Sequence, residues 1–510
     1  MVEPLKKEEK RELPPLIEKT NPKTSFSKRI RINYLLNHEE EFIKQSVYVC
    51  GWAKNIRSGA KGKILFVHLS DGSTPQTIQV VVDSEVPGFE ELSKEDAGCC
   101  CGFSGEFIKS VGKKQSIEVQ VRKTEGHFLK IFGKCNPSEY PLAKIEKSYE
   151  FLRDIAHLRS RTQYIGAIAR VRNSLIFATH SFFQGKGFVN IHTPIISTSD
   201  CEGAGEMFQV TTLFSNAKDK LAGIKENEQH LVDFKEDFFK RPAYLTVSGQ
   251  LNVETYCHGL CDVYTFGPTF RSEKSKTTRH LAEFWMIEPE IAFGDVNDLM
   301  DLAEDYLKYC ILYVFKNNMD DLNFFQESKV DETLITRLKN VLENTFERIT
   351  YTQGIEILQN AIKEKKIEFG SKKEIVWGVD LDAEHEQYLA GKHFGKPIMV
   401  RNYPKEIKAF YMKLNEDNKT VCGMDVLLPK IGEIIGGSVR EERLELLDKR
   451  IEDMKLDKSS YTLYRDLRKF GTCPHAGFGL GFERMIMMMT GVENIQDVIP
   501  FPRRFEHANY

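Results

Sequence analysis

The sequence predicts an α+β fold in two parts: a small N-terminal β-barrel, then a larger domain in which an antiparallel-rich sheet is flanked by helices. Three observations carry this. Short β-rich runs crowd residues 45–132, helical and strand patterns alternate beyond residue 150, and the late strands follow one another without intervening helices, which disfavours a doubly wound sheet. A chain of 510 residues, 41% hydrophobic and 28% charged, is long enough for two or three domains with cores of their own.

Residues 1–44 mix lysines, prolines and acids and read as a flexible extension, with a tethering arm as the alternative. Glu3, Glu8, Glu9, Glu12 and Glu18 argue against a mitochondrial presequence, which should be nearly free of acids. The barrel runs are "SVYVCGWAKNI", "KILFVHLSDG", "TIQVVVD", "GFSGEFIKS" and "QSIEVQVRK", with a short helical piece at "GFEELSKEDAG". Five short strands and one helix suggest a barrel of the OB type over 45–132. The proline-containing "GKCNPSEYPLAK" marks a linker over 133–150.

In the larger domain, 151–510, "IGAIARVRNSLIFATHSFFQGKG" has helical spacing and stops at Gly185 and Gly187. A strand, "FVNIHTP", follows. The charged segment near 215–240 reads as an inserted surface loop, or alternatively a flap. Helices are expected over about 297–365, then strands at "KPIMVRNYP", "IKAFYMKL", "TVCGMDVLLP" and "EIIGGSVR", and a last helix from "GFERMIMMMTG".

Some function classes are excluded early. No apolar run approaches the ~20 residues of a membrane span, and a net charge of -3 gives no global basic field, so nucleic acid would have to be bound through local patches. Eleven scattered cysteines suit a reducing compartment, the cytoplasm, and read as ordinary buried thiols. Cys257 and Cys261 come nearest to zinc-ligand spacing, but no further ligands are evident beside them. Neither a P-loop nor a G-x-G-x-x-G after a strand is present.

The stretch that points to chemistry is "FGPTFRSEKSKTTRHLAEFWMIEPEI". Arg271 ends one expected strand and Phe284 lies on the returning one. A guanidinium fork suits a phosphate and an aromatic face suits a purine, so the hairpin is a nucleotide-site candidate. Downstream, Asp425 and Glu433 could share magnesium on a polyphosphate. "HAGFGLGFERM" adds glycines that permit close approach, and Arg484 at a helix start as a terminal-phosphate clamp.

Taken together, "GFVNIHTPII" with Pro194, "FRSEKSKTTRHLAEFWMIEPE" and "GFGLGFER" resemble, in order, the three motifs of class II aminoacyl-tRNA synthetases of the aspartate/asparagine/lysine subgroup. The resemblance covers about residues 45 to 505 and implies a class II catalytic domain behind an anticodon-binding barrel. It implies that Arg271 holds the α-phosphate of ATP, that Glu273 and His280 lie near the adenine and terminal phosphates, and that Phe284 stacks under adenine. It further implies that Arg484 binds the γ-phosphate, that Asp425 and Glu433 hold Mg²⁺, and that Glu433 also borders the nucleotide. In the barrel, Phe66 and Gln79 match positions that stack on and hydrogen-bond the anticodon's central base. The first motif implies a homodimer with Pro194 at the two-fold interface. Partners are then a tRNA, an amino acid and ATP, with neither membrane nor DNA.

The amino acid is argued from the pocket. Aspartate-charging members resemble S-x-Q-L-x-K where this chain reads "SGQLNVE", so Val253 replaces the lysine that would pair with a carboxylate. A carboxylate there would lack its cation. Glu288 can accept from a carboxamide NH₂, Arg440 can donate to its oxygen, and Ser248, Gln250 and Glu202 are placed around the substrate, the last two at its α-amino group. The expectation is L-asparagine and its tRNA(Asn). The rivals are a relaxed enzyme charging both aspartate and asparagine tRNAs, an ammonia-dependent asparagine synthetase, and a silent RNA-binding paralogue. The barrel counts against the second, and retention of Arg271, Asp425, Glu433 and Arg484 against the third.

Overall fold

Alternation of buried and exposed side chains builds the barrel. Five strands, β1 (Ser46–Gly59), β2 (Ile64–Ser70), β3 (Ile78–Asp83), β4 (Cys100–Lys109) and β5 (Ile117–Val121), lie in the order β1-β2-β3-β5-β4, and β1 pairs back with β4 to close the ring. Every second residue points inward, so Val49, Leu65, Val67, Val80, Val82, Phe103, Phe107 and Val119 form a dry core. The computed structural model describes residues 11–509 apart from 25, 111, 113–114, 125, 144–147, 199–200, 202–206, 215–225, 228–230 and 371–373. The chain divides into two units. One comprises Ile17–Asn173 and Asn317–Glu332, the other Ser174–Lys316 and Thr333–Asn509 with the described residues up to Leu16.

The barrel unit departs from expectation in three places. Residues 30–44 do not hang free as part of a flexible extension: a short helix, Ile32–Asn37, puts Ile32 and Leu35 into the barrel core, and Phe42 follows. A sixth strand, β6 (Phe128–Gly133), pairs with the outer edge of β4. It was missed because its inward residues are only half covered. The expected linker, exposed over 136–139 and 148–150, is anchored at two residues, since Cys135 and Tyr140 close so tightly on Gly98 that a Cβ there would lie 2.7–2.9 Å from them.

The second unit opens with β7 (Val189–Asn190), which follows the long helix Gln163–Gly185, and a three-stranded sheet of β8 (Ile196–Ser197), β9 (Gln209–Val210) and β10 (Ala243–Leu245). The main sheet adds β11 (Val263–Phe270), β12 (Glu283–Ala292), β13 (Glu347–Thr350), β14 (Ile398–Pro404), β15 (Thr420–Leu428), β16 (Gly432–Val439) and β17 (His475–Gly481). Its order is β13-β14-β15-β16-β17-β12-β11-β7, antiparallel except for the outermost pair at each side. This is the antiparallel-rich, helix-flanked sheet predicted.

The expected helical block resolves into Val296–Asn317, Met319–Glu327, Leu334–Glu343 and Tyr351–Lys363, with the short β13 before the last of these. The expected strand "IKAFYMKL" is not one. Phe410 is buried against Leu447, Ile451, Tyr461 and Tyr464, while Met412 and Leu414 make only isolated bridges. Its apolar residues serve two separate cores, which a straight strand could not reach.

Candidate active site

The β11–β12 hairpin and strands β16 and β17 converge on one cavity of about 200 Å³. Arg271 leaves the end of β11, where its amide is fixed by the Ala282 carbonyl at 3.0 Å. Its guanidinium lies 5.4 Å from the ring centre of Phe284 on the returning strand, so the fork and the aromatic face line the same wall. Glu273 and His280 also line it, their side chains 3.7 Å apart on the hairpin loop. Arg484, in the first turn of the helix Phe482–Thr490, donates to the Glu433 carbonyl at 3.0 Å and stands 3.7 Å from its carboxylate. The neighbouring Glu483 accepts from the Trp285 amide at 3.0 Å, tying that helix start to β12.

A cluster of acids lies along one side. Asp425 on β15 is in register with Gly436 on β16, and a bulge shifts Glu433 onto the same spot. A Cβ on Gly436 would sit 3.0 Å from Glu433 and 3.4 Å from Asp425, so only a glycine leaves room between them. Glu386, which the sequence reading missed, accepts from the Glu433 amide at 3.0 Å. Burial and the Glu433 and Asp425 charges push the Glu386 carboxyl up to about 7, and burial with Asp425 raises Glu433. Lys408, also missed, reaches Asp425 at 2.7 Å; burial works to lower its amine, but the Asp425 charge outweighs this and raises it. Nothing in "DAEHEQYL" or "IKAFYM" marks these two residues. Only the fold brings them to β15. Glu433 and Glu386, each raised by neighbouring carboxylate charge, and Asp425 are oxygen donors of the kind a hard divalent cation takes.

Residues 148–504 match the class II tRNA synthetases (D, K and N), and residues 47–125 match the OB-fold nucleic acid binding domain. The chain belongs to the class II aminoacyl-tRNA synthetases. It is 50% identical over 469 residues to the asparagine–tRNA ligase of Protochlamydia amoebophila, covering 92% of this chain and 96% of that one. With the chloroplastic/mitochondrial asparagine–tRNA ligase of Arabidopsis thaliana it shares 48% over 495 residues, 95% and 85% of the two chains. The crystal structure of asparaginyl-tRNA synthetase from Pyrococcus horikoshii complexed with asparaginyl-adenylate superposes with a TM-score of 0.77 at 31% identity, over 92% of this chain and 97% of that one.

In this class II synthetase the side chains expected around the amino acid form a buried ionic layer between β12, β16, β17 and the helix Gln250–Leu260. Glu288 accepts from the Ser248 hydroxyl and from the Gly249 amide at 2.9 Å. Burial pushes its carboxyl up, while those two donors and Arg440 oppose the rise. Two residues along the same strand face, Glu290 takes both arms of the Arg440 guanidinium, and Arg440 also donates to Ser438 at 3.1 Å. Glu290 is the partner that sequence reasoning did not assign, although the period-2 spacing of the two acids in "IEPE" was the signal.

Gln250, expected at the α-amino group, donates from its side-chain amide to Glu254 at 3.0 Å. Glu254 has no exposed surface and also accepts from Tyr464 (3.0 Å), Arg468 (3.0 Å) and His475 (2.9 Å). Burial works to raise its carboxyl, but Arg468, His475 and Arg440 hold it well below the usual carboxylate range. Val253 is fully buried among Cys257, Val263 and Ile191, so that turn of the helix contributes an apolar side chain and no cation. Glu202 lies outside the described residues, as do 215–225 and 228–230 of the insertion.

Gly477 is what lets this layer close. A Cβ on it would fall 2.1–2.4 Å from the Glu290 carboxylate. Gly477→Ala is therefore expected to cost about 1–3 kcal/mol of stability, read as a lower midpoint in urea unfolding; an unchanged midpoint would show that the Glu290–Arg440 pair has room to move.

In the barrel unit, Phe66 is absent from the core and lies half-exposed on the outer face of β2, packed flat over Gly59. Gln79, on β3 beside it, is half-exposed and donates to Glu118 at 3.1 Å. Pro194 is exposed, with Ile195 and Ile196 each more than 40% exposed beside it.

Proposed function

We propose that this chain is an asparagine–tRNA ligase, activating L-asparagine with ATP to asparaginyl-adenylate and passing it to the 3′ end of tRNA(Asn) with release of pyrophosphate and AMP. The observation that carries the choice of amino acid is the charge balance of the buried layer. Three carboxylates, Glu254, Glu288 and Glu290, stand against two guanidiniums, Arg440 and Arg468, and the imidazole of His475, and all six side chains are more than nine-tenths buried. An aspartate side chain would bring a fourth carboxylate into a layer whose cations already have carboxylate partners, at a cost of several kcal/mol. A carboxamide adds no charge, and it can donate to a carboxylate while accepting from Arg440.

In the first half-reaction a carboxylate oxygen of asparagine attacks the α-phosphorus in line, and the bond to the bridging oxygen of pyrophosphate breaks. Charge grows on the phosphate oxygens. Arg271 is assigned to the α-phosphate, Arg484 to the terminal phosphate and Phe284 to the adenine face; Glu273 and His280 border the base and the phosphates. Fixed guanidiniums already aimed at that charge need no reorganisation when it appears. Asp425 and Glu433, with Glu386 beside them, would hold Mg²⁺, which when bound neutralises the departing pyrophosphate.

Phe66 and Gln79 are assigned to the anticodon, the ring offering a stacking face and the amide a base-edge contact. A homodimer through the surface around Pro194 accords with the exposed Val189, Ile195 and Ile196 there. We assign the chain to the cytoplasm on the family's role in translation; its eleven cysteines, all described, are free thiols. No described helix is long and apolar enough to cross a membrane.

The test is pyrophosphate exchange and tRNA charging with each amino acid. Asparagine should support both, and aspartate should run at least about 10²-fold slower, the equivalent of roughly 3 kcal/mol. Comparable rates with aspartate would replace this reading with a relaxed enzyme serving both.

A further inference from the structure

The cysteines do not all behave as the buried thiols expected of them: five are buried, five half-buried, and Cys261 is exposed. One of the half-buried ones, Cys473, stands with two histidines at the rear of the ionic layer. A ligand atom from each of His258, Cys473 and His475 lies within 4.8 Å of the other two. His258 comes from the last turn of the helix Gln250–Leu260, while Cys473 and His475 flank Pro474 at the entry to β17. His258 lies more than 200 residues before the other two, so no local spacing in the sequence brings the three together.

From this cluster we infer a binding site for a borderline-soft divalent cation of the zinc type, held by Cys473 Sγ, His258 Nε2 and His475 Nδ1. The donor set is the first argument. One thiolate and two imidazoles are the ligands such a cation selects, and hard ions such as Mg²⁺ avoid them. The orientation of the rings is the second. A ligating histidine needs its other nitrogen held by a carboxylate or carbonyl, and here a single residue, Glu254, does this for both. Its main-chain carbonyl accepts from His258 Nδ1 at 2.8 Å, and its carboxylate accepts from His475 Nε2 at 2.9 Å.

That leaves His258 Nε2 with its lone pair outward, where its contact is the Thr472 hydroxyl at 3.5 Å. His475 Nδ1 faces the Cys473 carbonyl at 2.9 Å, a contact the cation would take over. In a tetrahedral site with bonds of 2.0–2.3 Å the ligand atoms stand about 3.5 Å apart, so the three need to close by roughly 1 Å. His258 and Cys473 are half-buried, which gives the ion a route in and leaves the fourth position to water. Binding forms the metal–sulfur bond and sets free the Cys473 thiol proton, along with any proton carried on His475 Nδ1.

The experiment uses the full chain, treated with chelator and then titrated with Co²⁺, and separately with Zn²⁺ in competition. The expected result is one Co²⁺ per chain with the intense visible bands of tetrahedral coordination and a thiolate charge-transfer band, both displaced by one equivalent of Zn²⁺. Cys473→Ser should abolish the charge-transfer band and weaken binding at least tenfold. His258→Gln should weaken binding comparably while keeping that band, and Cys422→Ser should change nothing. A weak octahedral spectrum, or Cys473→Ser binding as the parent does, would overturn the site. Cys473 and His258 make no contact with the nucleotide cavity, so retained asparagine-dependent exchange certifies that each variant is folded.

Discussion

Arg271→Ala should lower asparagine-dependent pyrophosphate exchange by about 10²–10³-fold, the loss that follows removal of one preorganised donor from a developing anion. The expectation rests on where the guanidinium is held. It leaves β11 with its amide pinned to Ala282 and lies 5.4 Å over the Phe284 ring, so it meets an incoming nucleotide without searching for position. Because Arg271 is half-exposed on a cavity wall, truncation should leave the melting temperature within a few degrees of the parent. Arg271→Lys keeps the charge but loses the planar fork and should recover only part of the rate. Exchange that survives the alanine change, in a protein that still binds ATP, would move the α-phosphate contact elsewhere and with it the reading of the hairpin.

How much of this was legible in the sequence depended on distance along the chain. The β11–β12 hairpin is a local object: strand, polar loop and returning strand follow in order, so Arg271 and Phe284 could be set on one wall from "FGPTFRSEKSKTTRHLAEF" alone. Asp425 and Glu433 lie on adjacent antiparallel strands, where short spacing already implies proximity. Glu386 and Lys408 join them only because the helix Ala383–Gln387 and an irregular segment fold back on β15, which no local pattern encodes. Gln250 shows what a helix adds: its side chain runs one turn onward to Glu254, a partner that i, i+4 spacing makes legible. The barrel's sixth strand and the anchoring of segment 30–44 through Ile32, Leu35 and Phe42 were hidden by weak patterning: half-covered side chains on one, and acid-rich surroundings on the other.

Glu290→Gln should separate amino-acid recognition from nucleotide binding. Glu290 takes both arms of Arg440 in a layer with no exposed surface of its own, and burial pushes its carboxyl up to about 7, a rise also favoured by Glu254 and opposed by Arg440. The glutamine keeps shape and one acceptor but removes the charge that fixes the guanidinium. Asparagine KM should rise by about tenfold to a hundredfold, the cost of weakening a charge-assisted pair, while ATP KM stays unchanged because no nucleotide-wall residue touches Glu290. The variant also removes one carboxylate from the layer, so the preference for asparagine over aspartate should narrow by about tenfold. That narrowing is the sharper readout, since a merely structural role for Glu290 would depress both amino acids alike. Arg440→Ala is the blunter probe: it strands Glu290 without a partner in a dry interior, at about 3–5 kcal/mol, and its expected outcome is loss of fold before any change of preference can be read.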